Sequence, residues 1–94
     1  MHKDSRYLAV KQALENKEVI YFNDIFQRLP KSIVAKDTGI GIKRMNSLCK
    51  DARKILLGDA LLLANLLDVN PLLITDIVAR QLGYEMPFLI SHSA

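Results

Sequence analysis

Seven cationic side chains, Lys31, Lys36, Lys43, Arg44, Lys50, Arg53 and Lys54, lie in one stretch of this 94-residue chain that holds only two carboxylates, Asp37 and Asp51. Clustered ammonium and guanidinium groups hold polyanions by charge, and a guanidinium fork adds paired hydrogen bonds to planar acceptors. The excess is local. Residues 1–30 carry five cations and four carboxylates, and residues 55–94 carry one and four. The net charge of +3 says less than this partition, which predicts a polyanion on one side of the molecule and a protein on the other. A solvated face of ordinary lysines is the plain alternative.

No other constellation competes. His2 and His92 fall near the termini, Cys49 has no histidine in its segment, and no two carboxylates share a short helical spacing around an evident cleft. Thr38-Gly-Ile-Gly-Ile-Lys43 superficially looks like a phosphate loop, but it lacks the Gly-to-Gly-Lys-Ser/Thr frame, a preceding strand and a third glycine. We therefore expect no enzyme, no cofactor and no metal. A lone cysteine excludes an internal disulfide and fits a reducing cytoplasm, with Cys49 an ordinary half-buried thiol. The start of the chain is polar, with no apolar core of a signal peptide. The longest apolar run, residues 55–67, is interrupted by Gly58 and Asp59 and falls short of the roughly 20 residues of a membrane span. The expectation is a cytoplasmic protein with no membrane partner.

At this length the chain suits one domain with a single core, and half of its residues are apolar. Helical periodicity runs almost throughout and predicts an all-α fold. Ser5 is a candidate cap for a first helix to about Asn16, with a stripe of Tyr7, Val10 and Leu14. Val19-Ile20-Tyr21-Phe22 has strand-like composition but no partner run, so it is expected to be a buried connector. Asn23 is a candidate cap for a second helix ending before Pro30, a third helix covers residues 31–38, and a fourth over residues 42–50 leads into a basic loop at 51–54. Residues 57–67 form a fifth helix, and Pro71 opens a sixth that ends near Gly83. The apolar tail Met86-Pro-Phe-Leu-Ile90 breaks helical rhythm.

The third and fourth helices have the pattern of a helix-turn-helix. Ala35 is the small contact residue, Gly39 suits the left-handed position that ends the third helix, and Ile40, Met45 and Leu48 are apolar plugs. Met45 and Leu48, three apart, turn one stripe of the fourth helix inward and leave Lys43, Arg44 and Ser47 outward. A basic outward face on such a helix points to DNA.

The fifth helix is apolar nearly all round, interrupted only by Gly58, Asp59 and Asn65. It should be covered on two sides. The helix-turn-helix core would take one, and the N-terminal helix, the tail at Phe88-Leu-Ile90, or a second copy of the chain the other. A homodimer through the apolar C-terminal helices is one expectation, and intramolecular cover is its rival.

Val34-Ala35, Gly39-Ile40, Met45, Leu48, Leu61, Leu63-Ala64, Leu67 and Val69 together resemble the lambda-repressor-like helix-turn-helix domain of phage repressors and Cro-type regulators, over about residues 31–78. The resemblance implies a compact bundle of about five helices over residues 22–83, with residues 1–21 an added N-terminal helical extension and residues 84–94 a tail. It implies that residues 42–50 enter the major groove of double-stranded DNA as a recognition helix, the chain acting as a transcriptional regulator. By position, Ile42, Lys43, Arg44 and Ser47 would face bases, and Lys31, Lys36, Lys50, Arg53 and Lys54 would hold phosphates. Lys31 stands where the family often has glutamine, and Gly41 where it has a Ser or Thr cap. Direct readout would then rest mainly on Arg44, whose fork matches guanine O6 and N7. The alternative is a helical adaptor that keeps the fold and binds a protein through its leucine-rich back half.

Overall fold

The computed structural model describes residues 5–84, and the tail expectations for residues 85–94, like His2 and His92, lie outside them. Among the described residues the fold is all-helical: α1 (Arg6–Glu15), α2 (Ile25–Arg28), α3 (Lys31–Thr38), α4 (Ile42–Lys50), α5 (Leu57–Leu67) and α6 (Pro71–Gln81), with 3-10 turns at Phe22–Asp24 and Ala52–Lys54. No strand forms there.

Each boundary has a local cause. The expected stripe of α1 is buried, Tyr7, Val10 and Leu14 together with Ala13. Ser5 does not cap α1, because it already has helical dihedrals and its hydroxyl meets no backbone amide. In the connector Val19 and Phe22 are buried while Ile20 and Tyr21 between them are exposed, so it is only half buried. Asn23 does not cap α2. Its Oδ1 accepts from no amide, and α2 has no side-chain cap; before the 3-10 turn, Asp24 Oδ2 accepts from the connector amides of Tyr21 at 3.0 Å and Ile20 at 3.3 Å. Leu29 is extended, as a residue before proline must be, and Pro30 leads into α3. Beyond α4 the expected basic loop is a 3-10 turn, held by Asp51 accepting from the Arg53 amide.

Gly39 ends α3 at φ 77°, a left-handed conformation that glycine adopts at no steric cost. Thr38 helps to close the turn, its hydroxyl donating to the Val34 carbonyl at 2.7 Å and accepting from the Ile40 amide at 3.3 Å. At the break after α5, Asp68 ends the helix in the left-handed region and the Asn70 side chain accepts from the Leu72 amide at 2.9 Å, with Pro71 at the first helical position of α6. The chain bends by 120° between the two helices.

The core runs through every helix: Val10, Phe22, Ile25, Leu29, Val34, Met45, Leu48, Leu63, Leu67 and Ile74 are all but sealed from solvent. Phe22 meets Phe26 edge to face at 5.5 Å between ring centres. α5 packs on α6, α1 and α3, which makes it the central strut. α1 is tied on by polar contacts as well, Tyr7 donating to Asp37 on α3 and Lys11 pairing with Asp68 at 3.1 Å. No single described helix is long and apolar enough to cross a membrane.

A Cβ built on Gly39 would meet nothing within 4 Å, so any cost of adding one comes from the backbone alone. Gly39→Ala should therefore lower unfolding free energy by about 1–2 kcal/mol in a denaturant titration, with the slope of the transition unchanged.

Candidate nucleic-acid interface

Met45 and Leu48 plug the core, and that fixes what α4 presents outward. Ile42, Lys43, Asn46 and Lys50 are exposed and Ser47 is half buried. Lys43, Asn46, Ser47 and Lys50 fall at intervals of three and four, one continuous stripe of a helix. Among the described residues Lys36, Lys43 and Lys50 have no carboxylate partner. Their charge is therefore uncommitted, and Lys36, on the preceding helix α3, is exposed as well.

Arg44 goes elsewhere. Its guanidinium forks onto the nearly buried carboxylate of Asp59 in the first turn of α5, Nε donating to Oδ1 at 3.3 Å and Nη2 to Oδ2, while Nη2 also donates to the Lys54 carbonyl at 3.2 Å. Asp59 Oδ2 in turn accepts from the Leu56 amide at 2.9 Å and so caps α5. The expectation that Arg44 faces bases is revised on this ground: its planar fork is already occupied by a carboxylate, the acceptor it matches best.

The other expected phosphate ligands divide. Arg53 is clamped onto Asp51, Nε to Oδ1 at 2.9 Å and Nη2 to Oδ2 at 3.1 Å, so its charge is largely answered within the turn. Lys54 reaches Ser47 on α4, Nζ to Oγ 3.4 Å, which brings its charge beside the stripe. Lys31 is half buried and lies near Cys49: burial pushes that thiol up while the Lys31 charge draws it down. Lys31, Lys50 and Lys54 thus gather around the C-terminal half of α4, and Lys43 and Ile42 mark its start.

Three supporting residues were not legible as such. Asn23, expected as a cap, donates from Nδ2 to the Cys49 carbonyl at 3.0 Å, and its amide donates to Gln81 Oε1 at 3.2 Å, which holds the end of α4 against α6. Asp59 had a signal, a single charge three residues after Leu56 in an otherwise apolar run. Asn46 had one too, three residues beyond Lys43 on the outward side.

A separate cavity of about 120 Å³ lies between the end of α1, the connector and α6, lined by Leu14, Val19, Ile20, Leu73 and Ile77 with Lys17, Asp76 and Arg80. Asp76 is paired there with Arg80 at 3.0 Å, one turn along the same helix. Among the described residues no three His, Cys, Asp or Glu side chains group closely enough to hold a metal ion. No family model, no curated protein and no solved structure matches this chain.

The Arg44 guanidinium holds the Asp59 carboxyl below its ordinary value of 3.8, with help from the Leu56 amide and against the opposing effect of burial. A depressed folded value contributes stability that is fully present above the ordinary value and is lost as pH falls through the folded one. Acid titration of unfolding free energy should therefore fall below about pH 4. Asp59→Asn should flatten that limb and cost about 1–3 kcal/mol at neutral pH.

Proposed function

We propose that this chain binds double-stranded DNA as a sequence-specific regulator, with α3 and α4 acting as a helix-turn-helix of the lambda-repressor-like kind and α4 lying in the major groove. One observation carries the reading. The outward stripe of α4, opposite the residues that plug the core, bears Lys43, Asn46, Ser47 and Lys50, and its charged members have no partner among the described residues. Two unpaired ammonium groups with a carboxamide and a hydroxyl between them complement a groove whose walls are phosphates and whose floor presents donors and acceptors.

The roles come from charge and reach. Lys36, Lys50 and Lys54 hold phosphates as point charges, with Lys31 beside them at the end of α4. Lys43 and Asn46 read base edges. A lysine donates to guanine O6 and N7, and the Asn46 carboxamide pairs with adenine N6 and N7. Ser47 contributes a hydroxyl, and Ile42 an apolar contact such as a thymine methyl accepts. Arg44 serves as a positioning residue, setting the angle between α4 and α5. The second reading, a helical adaptor for another protein, is favoured by the exposed leucines of α5 and predicts no duplex affinity even at low salt.

Duplex binding measured by fluorescence anisotropy should weaken steeply between low and physiological salt. Lys50→Ala should lower the salt slope by about one for any sequence, whereas Asn46→Ala and Lys43→Ala should each cost about 1–3 kcal/mol on a selected site and relax one base position. Unchanged affinity and sequence preference in all three variants would remove the reading.

A further inference from the structure

Leu73, Asp76, Ile77 and Arg80 recur at spacings of three and four along α6 and so share one face of it, and all four line the cavity of about 120 Å³ against the end of α1 and the connector. Leu14 and Val19 supply apolar wall from the other side, and Lys17, exposed to solvent, lines it as well. Asp76 is the unusual member. Its side chain is 8% exposed, Oδ2 accepts from Arg80 Nε at 3.0 Å, and the buried Oδ1 has no hydrogen-bond partner among the described residues. A buried carboxylate oxygen without a donor keeps the full cost of leaving water, which a ligand that brings a donor would offset.

The cations beside it have capacity left over. Lys17 has no carboxylate partner among the described residues. Arg80 bonds Asp76 through Nε, which leaves both terminal nitrogens of its fork for another acceptor.

We infer that this cavity binds a free aliphatic α-amino acid of about the size of leucine. Its ammonium donates to Asp76 Oδ1, its carboxylate accepts from Arg80 and Lys17, and its branched side chain lies among Leu14, Val19, Leu73 and Ile77. Size and charge select this class. A dry cavity of roughly 150 Å³ takes a benzene ring, so this smaller one takes a branched aliphatic side chain and leaves the charged end at its mouth. Asp76 and Arg80 are bonded to each other, so a ligand that meets both must carry its own opposite charges on neighbouring atoms. An α-amino acid does so, and a longer zwitterion does not. Purely apolar cover would leave Oδ1 and both cations unanswered, and the chain's own segment 86–90 has neither an ammonium nor a carboxylate side chain to offer.

The cavity shares no residue with the outward stripe of α4, so the test needs no DNA. Amide NMR of the labelled full chain titrated with L-leucine should give saturable shifts concentrated in residues 14–20 and 73–80. Isocaproate, which lacks the ammonium, and isoamylamine, which lacks the carboxylate, should each bind at least about tenfold more weakly, the loss expected for one charge-assisted hydrogen bond. Asp76→Asn should weaken leucine to the same degree. Lys17 has a left-handed backbone at φ 63°, which glycine adopts freely, so Lys17→Gly removes the ammonium without strain and should weaken leucine severalfold. No saturable shift up to the solubility of leucine overturns the inference. So do shifts confined to other residues, isoamylamine binding as tightly as leucine, or unchanged leucine affinity in Lys17→Gly.

Discussion

The junction of Arg44 with Asp59 is the interaction that organises both faces of this protein. A guanidinium from the fourth helix and a carboxylate from the first turn of the fifth meet at the edge of the core, and the carboxylate also caps the helix that carries it. A partly buried pair of this kind gains little over a good apolar contact in net stability, yet removing one partner leaves the other without its complement. Its main effect is geometric. It ties α4 to α5 directly and so fixes the angle between them.

Both surfaces depend on that one bond. On α4 it takes the arginine out of the outward stripe and leaves lysines and carboxamide to face solvent. On α5 it takes the only carboxylate inward and leaves a leucine face without charge. The strongly basic segment and the neutral apolar helix are adjacent in sequence, but the pair keeps their chemistries apart. Around it, Asn23 secures the far end of α4 against α6, and Tyr7 and Lys11 bind the N-terminal helix to α3 and to the end of α5.

What could be read from the sequence was what short-range rules govern. The left-handed glycine at Gly39, the proline starts at Pro30 and Pro71, and the inward spacing of Met45 and Leu48 each depend on a few neighbouring residues, and each boundary lies where those rules put it. What could not be read depends on distance along the chain. Arg44 looked free because its partner is fifteen residues away. Asn23 looked like a cap because asparagine caps helices, but its Nδ2 is drawn to the Cys49 carbonyl, twenty-six residues away, and its Oδ1 accepts no amide. Ser5 lost its role because the chain there is already helical. Sequence could also show that α5 is apolar nearly all round, but not that α1, α3 and α6 together would cover it and still leave Leu57, Leu61 and Leu62 partly exposed.

The central claim is that the outward stripe of α4 is a surface for duplex DNA, and amide NMR of the labelled chain titrated with a short duplex at low salt tests it most directly. The shifted resonances should concentrate in residues 42–50 and in neighbouring α3, and should return toward their free positions when salt is raised. Shifts confined to α1 or α6, or none at low salt, would contradict it.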